Sequence, residues 1–491
     1  MGPLTHQLTP TSVPSTTTTN ITGLSTPWPL NNTPTTSSHS RHSLHLPTAL
    51  IKGAGPGGLA ASITLARLGY LTLLIDKRPT HFRTNFVVLR PETLRQLSLL
   101  GALKILEEEG KIERIMDMEA EFPVPVEGSE GEITVESMRP PFVDWRQEGY
   151  DVPVVRDLGM QHSTHTVRIA DLEHALLKVA HQQGVIILRE STVRLTRTTD
   201  RFRATLSRNG DGTNFDLGFP DLIVIASGKR DPEALHDIGI TYLRHHRLTA
   251  SSLPTLDQPN LLLPSHPGPL ERQFFITFEV KSQTPPSGTV RLRLLPRRDG
   301  ESGVLERQVE SAHFAHQGSI IFGLQIPRVI EPTDECSIGH YVLGKANEIL
   351  CSEYKSLEEM PIVWGSPTKP FVVEVCSART FTYGSNLVLL GDAAGSSTLC
   401  TGQGAEIAAT VDPLNLRDLA EGLKKRREAE AKGHGVETTK SQEELLAEYN
   451  VRKAETLLLW SETSDKFWLE KEEVEEIRRK TRVGRTRAAR L

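Results

Sequence analysis

The stretch from Thr48 to Arg78 constrains the fold of this chain more than any other. A short apolar run, Ala49 to Ile51, enters a glycine cluster, and an apolar segment with helical spacing follows until Gly69. Glycine commonly ends a helix because it adopts the left-handed conformation at little cost. A second apolar run then leads to Asp76. The stretch therefore predicts a strand, a glycine turn, a helix and a second buried strand.

The glycine cluster has the spacing G-x-G-x-x-G at Gly53, Gly55 and Gly58. In such a unit the first glycine makes the tight turn, the second lets the backbone approach a pyrophosphate, and the third lets helix and strand pack closely. The helix N-terminus offers free N–H groups and a positive dipole end to phosphates. Asp76, at the tip of the second strand, is placed to accept hydrogen bonds from an adenosine ribose. We predict a dinucleotide site here; a glycine-rich loop without a ligand is the alternative. Its turn comprises Gly53, Ala54, Gly55, Pro56, Gly57 and Gly58.

Composition excludes several classes of partner. The 491 residues carry a net charge of −5, which gives no reason to expect a nucleic acid as partner. The four cysteines are scattered without a C-x-x-C pair, which favours a reduced, cytoplasmic protein without a metal site. No apolar run approaches the roughly 20 residues of a membrane span, so we expect no integral membrane segment.

The two ends of the chain differ from the rest. In residues 1–48 more than half of the positions are Ser, Thr or Pro, and none is acidic. Such a segment buries too little apolar surface to offset its ordering entropy, so we expect disorder; an organelle transit peptide is the alternative. Residues 471–491 are rich in basic side chains, which indicates a disordered tail or a localisation signal.

Basic side chains cluster shortly after Asp76. Lys77, Arg78, Arg83 and Arg90 lie close to the phosphate loop in sequence, and Asn85 follows Arg83 by two positions. Guanidinium groups bind phosphates through forked hydrogen bonds, so the cluster could neutralise a diphosphate. A solvated loop is the alternative, above all for Lys77 and Arg90.

This region resembles the class A flavoprotein monooxygenases of the p-hydroxybenzoate hydroxylase type, and in detail their MICAL branch. That branch has an acid followed by Lys-Arg, then an Arg, then an Asn two residues later. The resemblance implies that FAD is contacted by Asp76, Arg78, Arg83 and Asn85, with Lys77 in the same cofactor-binding loop.

Two later segments are similar to the same family. Arg168 opens a helix-like segment, Arg168-Ile-Ala-Asp-Leu, that resembles the Arg- and Leu-containing helix of the family, although with one more residue between Arg and Leu than in its R-x-x-L pattern; the resemblance implies a cofactor contact by Arg168. The apolar run from Leu222 to Ile225 leads into Ala226-Ser227-Gly228. The family has Ala-Asp-Gly there, with the Asp serving flavin and nicotinamide binding. We therefore assign Gly228 to the cofactor site, and we expect FAD binding to survive at Ser227 while reduction by NAD(P)H becomes slow or dependent on substrate.

The segment from Asn386 to Ala405 resembles the second FAD motif of the family. It contains Gly391-Asp392-Ala-Ala and, at the family's spacing, Gly402-Gln403-Gly404. The resemblance implies that Asp392 accepts bonds from the ribityl hydroxyls, while the glycines let the backbone approach the flavin ring. The family has His at the place of Gly395 and Pro at the place of Leu399, so oxygen chemistry or substrate access could differ here.

Between these motifs, residues 235–380 contain runs that alternate as half-buried strands do, such as Phe274 to Val280 and Ile320 to Ile326. We predict an α/β protein: a Rossmann-like FAD-binding domain with a second, mostly antiparallel β-sheet substrate domain. The FAD-binding domain would comprise residues 49–234, with an inserted segment at about 115–160, and residues 381–470 with the C-terminal helices. The substrate domain would comprise residues 235–380.

The resemblance implies an NAD(P)H-dependent monooxygenase that oxygenates an organic small molecule with O₂ through a flavin C4a-hydroperoxide. NADPH or NADH would be the co-substrate, and no residue can be assigned as catalytic. Two alternatives remain open: an FAD-dependent dehydrogenase or reductase, and a flavin-binding module without turnover. No Trp-x-Trp-x-x-Pro segment is present, which disfavours a flavin-dependent halogenase. The sequence neither supports nor excludes a protein substrate.

Overall fold

The fold is taken from a computed structural model. It describes residues 46–80, 85–115, 117–125, 133–138, 164–208, 213–229, 231–244, 273–281, 289–298, 305–316, 319–327, 330–353, 363–364, 371–373, 376–396, 403–432 and 440–466. The predicted disordered N-terminal segment, apart from its last three residues, and the C-terminal tail lie outside these residues, as do Arg83, Leu399 and Gly402.

Strands and helices alternate through the first third of the chain and again towards its end. The strands are β1 Thr48–Lys52, β2 Leu71–Asp76, β3 Phe86–Leu89, β4 Ile112–Arg114, β5 Asp117–Pro125, β6 Ile133–Met138, β7 His165–Arg168, β8 Ile186–Arg189, β9 Ser191–Arg197, β10 Phe202–Arg208, β11 Asn214–Gly218, β12 Leu222–Ile225, β13 Tyr242–Arg244, β14 Gln273–Lys281, β15 Thr289–Arg298, β16 Leu305–His316, β17 Ser319–Gln325, β18 Val363–Trp364, β19 Phe371–Val373, β20 Cys376–Ala378, β21 Thr382–Tyr383, β22 Leu387–Leu389 and β23 Gly395–Ser396. The helices are α1 Pro56–Arg67, α2 Pro91–Leu100, α3 Ala102–Glu108, α4 Ile169–Gln182, α5 Pro232–Ile238, α6 Glu335–Glu353, α7 Gln403–Ala409, α8 Val411–Ala431 and α9 Gln442–Lys466.

A six-stranded sheet in the order β21-β22-β12-β1-β2-β8 forms the centre of the molecule. Its five strands from β22 to β8 are parallel, and β21 is an antiparallel edge strand. Strands covered on both faces need apolar side chains throughout, and β1, β12 and β22 are buried at every position. The predicted strand, turn, helix and strand from Thr48 to Asp76 is thus confirmed as β1, α1 and β2.

The helices α1, α4, α7 and α8 pack around this sheet. Proline favours the first helical position because its missing N–H has no partner there, and α1 begins at Pro56. A single apolar core joins the sheet to these helices and to α9, whose Tyr449 is buried and donates a hydrogen bond to the Leu389 carbonyl oxygen at 2.7 Å. The C-terminal helix therefore belongs to the same packed unit as the first strand.

A second sheet, mostly antiparallel, contains β18, β14, β17, β16, β15, β5 and β6 in that order, with β19 pairing to β14. One face packs against α6 through a separate apolar core that includes Ile276, Phe322 and Ala346. The expected antiparallel sheet is confirmed. Two of its strands, β5 and β6, come from the segment at about 115–160, and β5 joins β15 in parallel.

Three smaller sheets are also present among the described residues. They have the orders β11-β10-β9, β13-β20-β23 and β3-β7-β4. Among the helices that the structure describes, none is long and apolar enough to cross a lipid bilayer.

Candidate functional site

Four chain segments meet at the carboxyl edge of the central sheet. The glycine turn follows β1, Asp76 ends β2, Ser227 and Gly228 follow β12, and Gly391 follows β22. The strands stand next to one another in the order β22-β12-β1-β2. The carboxyl edge of an open parallel sheet is where ligands bind in folds of this kind. Motifs separated by more than 300 residues in sequence are thus brought to one edge.

Packing enforces the first and third glycines of the turn. Gly53 has φ +108°, and its N–H donates to the Ile75 carbonyl oxygen at 2.7 Å. A Cβ on Gly53 would lie 2.6 Å from the Ala226 carbonyl oxygen, and a Cβ on Gly58 would lie 1.9 Å from that of Gly53. Neither position has room for any side chain.

The middle glycine is different. Among the described residues, the one neighbour that a Cβ on Gly55 would meet within 4 Å is Glu173, whose Oε1 lies 3.8 Å away. The φ of Gly55 is −74°, which any residue adopts. The fold itself makes no steric demand for glycine here, and apart from the Glu173 carboxylate the space in front of Gly55 is open to a ligand that approaches the backbone.

Asp76 is buried at the end of β2 and accepts four hydrogen bonds. The Ala54 N–H donates to it at 2.6 Å, and the Arg78 backbone N–H at 2.8 Å. The Arg78 guanidinium donates twice more, at 3.0 and 2.9 Å. Burial would raise the pKa of the Asp76 carboxyl, but these bonds from Arg78 and Ala54 together hold it below its usual value. A carboxylate has about four acceptor positions, so a ribose hydroxyl that binds Asp76 would replace one bond from Arg78.

Two charged residues near the glycine turn, Glu173 and Arg189, were not predicted as part of the site. Glu173 lies fully buried on α4, near Gly55, and interacts electrostatically with Arg78 and Arg189. Arg189 on β8 is in register with Asp76. Burial lowers the pKa of the Arg189 guanidinium, although the Asp76 and Glu173 carboxylates oppose this. The one signal in the sequence was an acid on the apolar face of a helix that otherwise buries Leu172, Leu176 and Val179.

Asn85 and Arg168 lie beside the second sheet. The Arg168 guanidinium donates two hydrogen bonds to the Glu279 carboxylate on β14, at 2.6 and 3.2 Å, and stands over the Phe86 ring. The Ser319 hydroxyl donates to the same carboxylate at 2.6 Å. Asn85 Oδ1 accepts a hydrogen bond from the Thr277 hydroxyl at 3.0 Å. The side chains of both residues thus join the FAD-binding part to the second sheet, and their predicted contact with FAD stays a prediction.

The second motif is held by side chains from the C-terminal helices. Gly391 has φ +59°, and its N–H donates to Asp412 Oδ2 at 2.7 Å. Asp392 beside it is exposed at the sheet edge. A buried carboxylate therefore fixes the turn while the neighbouring one stays accessible to a ligand.

The structure explains one departure from the family pattern. A Cβ on Gly395 would lie 2.7 Å from the Cys376 carbonyl oxygen and 3.0 Å from Leu457 Cδ1. The pairing of β20 with β23 causes this contact, since Ser377 and Gly395 are register partners. A histidine at position 395 does not fit this packing.

The remaining predicted cofactor residues differ in exposure and in their place in the fold. Lys77 is exposed and Gly228 is half-buried; no described atom lies within 4 Å of the place where a Cβ of Gly228 would stand. Gln403 opens α7, and Gly404 is half-buried in its first turn. Arg83 and Gly402 lie outside the described residues.

These residues fit FAD. The space before Gly55 admits a diphosphate, and the N-terminus of α1 faces it with unpaired backbone N–H groups and the positive end of the helix dipole. Asp76 and Asp392 place carboxylates at two points of the same sheet edge, where the two sugar-like portions of FAD carry hydroxyls. Among the described residues, no group of three His, Cys, Asp or Glu side chains could hold a metal ion.

Comparison with known sequences agrees with this geometry. The family model described as FAD binding domain matches residues 47–265. The [F-actin]-monooxygenase MICAL1 of Bos taurus is 46% identical over 55 residues, which are 11% of this chain and 5% of that protein. The chain therefore spans a small fraction of the length of this relative.

Comparison of folds extends over most of the chain. The flavin-dependent halogenase CmlS has a TM-score of 0.58 at 16% identity, over 86% of this chain and 64% of that one. The p-nitrophenol 4-monooxygenase PnpA from Pseudomonas putida DLL-E4 has a TM-score of 0.57 at 16% identity, over 88% and 92%. At such identities the likeness shows the fold alone. The predicted p-hydroxybenzoate hydroxylase-like fold with its FAD-binding domain is confirmed.

Proposed function

We propose that the chain is a class A FAD-dependent monooxygenase, and that it depends on NAD(P)H and acts on an organic small molecule with O₂. The observation that carries the proposal is the arrangement at the sheet edge: free space before Gly55, flanked by Asp76 on one side and the exposed Asp392 on the other. An arrangement of this kind suits an extended dinucleotide lying across the ends of β2, β1, β12 and β22.

Each part of the site has a task that its surroundings support. The turn from Gly53 to Gly58 and the N-terminus of α1 would bind the diphosphate. Asp76 would accept a bond from the ribose in exchange for one from Arg78, and Asp392 would accept bonds from the ribityl chain. When bound, FAD supplies electron transfer and oxygen activation, while the protein contributes orientation, electrostatics and exclusion of water.

The second sheet supports the assignment of a separate substrate region. Its face opposite α6 carries Thr277, Glu279 and Ser319, which reach the FAD-binding part through Asn85 and Arg168. A sheet anchored in this way can cover one side of the cofactor and leave a pocket between the two parts. Pockets at such boundaries between two structural layers are common sites for small molecules. We therefore place the organic substrate there.

The proposal also covers the cellular compartment and the nicotinamide co-substrate. Cys376 is buried and Cys336 exposed, and both are free thiols. Free thiols are typical of a reducing compartment, and we place the protein in the cytoplasm. The resemblance implies an Asp that serves nicotinamide binding at the place of Ser227. NADPH and NADH should therefore both be tested as the co-substrate.

The test is NAD(P)H oxidation by the FAD-loaded protein with and without a panel of phenols and other aromatic acids, while oxygen uptake, hydrogen peroxide and oxygenated product are measured. A monooxygenase consumes oxygen and gives product when a suitable substrate is present. Oxidation of NADPH that transfers electrons to an artificial acceptor, with no oxygenated product from any substrate, would favour the dehydrogenase or reductase. A protein that holds FAD but is not reduced by either nicotinamide would be a flavin-binding module.

A further inference from the structure

A buried lysine stands directly before the glycine turn. Lys52 is the last residue of β1 and is 6% exposed. Its ammonium lies 3.0 Å from Asp231 Oδ2 and 3.0 Å from Glu233 Oε2. Asp231 is 4% exposed, whereas the Glu233 side chain is 46% exposed. The buried partner that offsets the charge of Lys52 is therefore Asp231.

Asp231 also organises the segment after β12. Its Oδ1 accepts hydrogen bonds from the N–H groups of Glu233 and Ala234, at 3.2 and 3.3 Å, and so caps α5. Aspartate is among the best residues for this capping position. One carboxylate thus joins β1, through Lys52, to the first turn of α5.

Ser227 lies between these groups and the glycine turn. A Cβ on Gly53 would lie 2.7 Å from Ser227 Cα, so the backbone at 227 rests directly on the phosphate turn. The Ser227 hydroxyl is buried and makes no hydrogen bond of normal geometry with a described residue, yet it is close enough to the Asp231 carboxylate, four residues further along, to lower its pKa. Although burial raises the pKa of the Asp231 carboxyl, the Ser227 hydroxyl, the Lys52 ammonium and the Ala234 N–H together lower it by more.

We propose that Asp231 is the carboxylate of the turn after β12, in place of the acid at position 227 that the family resemblance implies, and that Ser227 is its uncharged neighbour. Acting through Lys52, the cap of α5 and Ser227, Asp231 is a positioning residue: it holds Ala226 to Gly228 against the Gly53 turn. The proposal adds a positioning residue to the FAD site, and in that respect it rests on the proposed function. It predicts that Ser227 suits the charges around it in this chain, and that an aspartate at position 227 lowers both stability and FAD affinity.

The reason is electrostatic. Among the described residues, the Lys52 ammonium pairs with Asp231 and with Glu233, and the Asp231 carboxylate also interacts with Tyr242. Lys52 already pairs with two acids, and Lys229 Nζ donates to the Ser396 hydroxyl at 2.8 Å. A second carboxylate at 227 would face Asp231 in a buried place, and two such groups cannot both ionise without a large shift of one pKa.

The experiment is a cycle of variants in the full-length protein: Ser227→Asp, Ser227→Asn, Asp231→Ser and the exchange Ser227→Asp with Asp231→Ser. Asn has the size of Asp without its charge and is the matched control. Thermal unfolding of the FAD-free protein between about pH 5 and pH 8 is the first readout, because it depends on neither flavin nor turnover. FAD affinity from quenching of flavin fluorescence is the second.

We expect Ser227→Asp to unfold at a lower temperature than Ser227→Asn, with a difference that widens as pH rises. The folded state then holds a carboxyl with a raised pKa, and such a group destabilises the fold progressively as it ionises. We expect FAD to bind Ser227→Asp about tenfold more weakly at pH 8, and the exchange variant to recover most of both losses, a coupling typical of neighbouring side chains.

Several results would overturn the proposal. Equal stability of Ser227→Asp and Ser227→Asn at every pH would show that Asp231 does not face position 227. Failure of both variants to fold would show that size, and not charge, matters there. Folding of the Asn variant alone supports the proposal. If neither the wild-type protein nor any variant binds FAD, the proposed function fails. The unfolding temperatures of the variants would still show whether Asp231 faces position 227.

Discussion

Lys453 and Asp412 form a fully buried ion pair that connects the last described helix to the second FAD motif. The Lys453 ammonium lies 2.5 Å from Asp412 Oδ1, and the side chains are 1% and 0% exposed. The other oxygen of the same carboxylate accepts the Gly391 N–H at 2.7 Å. The pair therefore fixes the turn from which Asp392 projects, although α9 itself contributes no predicted cofactor residue.

Replacing Lys453 by Met should destabilise the protein strongly. The substitution leaves Asp412 buried without its counter-charge, and loss of one partner of a buried pair costs about 3–5 kcal/mol. Unfolding in urea measures this change. The matched control is Lys440→Met, since Lys440 pairs with Glu448 at the surface and such pairs contribute roughly 0–1 kcal/mol. Equal effects of the two substitutions would contradict the assigned role of the buried pair.

The glycine turn allows cofactor binding to be separated from folding. Gly58→Ala should unfold the turn or prevent stable folding, because its Cβ would overlap the Gly53 carbonyl oxygen. Gly55→Ala should leave the unfolding temperature of the FAD-free protein unchanged and weaken FAD binding about tenfold or more, since the methyl group takes the space of the diphosphate. Differential scanning fluorimetry and FAD titration give the two quantities.

Gly339→Ala is the control for these substitutions. It lies within α6, and no described atom stands within 4 Å of its Cβ position. Alanine stabilises an exposed helix by roughly 0.5–1 kcal/mol relative to glycine, so this variant should be as stable as wild type or more so, with unchanged FAD affinity. Normal FAD affinity of Gly55→Ala would refute the position assigned to the diphosphate.

The contact between the FAD-binding part and the second sheet can be measured by a double-mutant cycle of Arg168→Met and Glu279→Gln. Arg168 and Glu279 share two hydrogen bonds and the Ser319 hydroxyl, so we expect a coupling energy of about 1–3 kcal/mol in the stability of the protein. Additive effects of the two substitutions would show that the pair is not formed in solution. A large loss of FAD from Arg168→Met without any from Glu279→Gln would instead support the predicted contact of Arg168 with the cofactor.

The buried carboxyl of Glu406 predicts how the stability of the protein depends on pH. Burial raises the pKa of this carboxyl on α7, and the Arg90 guanidinium, 3.3 Å away, offsets the shift in part. A carboxyl whose pKa is higher in the folded than in the unfolded protein reduces stability as pH rises from the unfolded pKa, about 4.3, through the folded one. Glu406→Gln should therefore gain stability relative to wild type on going from pH 5 to pH 8.

Melting temperatures at the two values of pH measure this gain. Glu443→Gln, at an exposed position in the first turn of α9, is the control. A constant difference between Glu406→Gln and wild type at both values of pH would contradict the raised pKa.

The central unit and the order of the FAD motifs could be predicted because their signals are local. Gly53, Gly55, Gly58 and Asp76 lie within one short stretch, and each residue type follows from a backbone or hydrogen-bonding need within that stretch. The strand before Gly391 is equally recognisable from its apolar run. The family resemblance then linked the two segments.

The ion pairs that support the site could not be predicted in this way. Lys453 and Asp412 are 41 residues apart, and Arg168 and Glu279 are 111 apart. Nothing in the residues near either member marks its partner, because the pairing depends on how distant elements pack. The same holds for Gly395, whose constraint comes from the pairing of β20 with β23. The pairing of β5 with β15 likewise joins distant segments.

The most direct test of the account is the equilibrium titration of the purified protein with FAD, carried out on wild type and on Asp392→Ala. Asp392 is exposed, so its removal should leave the unfolding temperature of the FAD-free protein unchanged while most of the bound flavin is lost. We expect one non-covalently held FAD per wild-type chain and much weaker binding by the variant. A wild-type protein that is colourless as purified and cannot be reconstituted with FAD would contradict it.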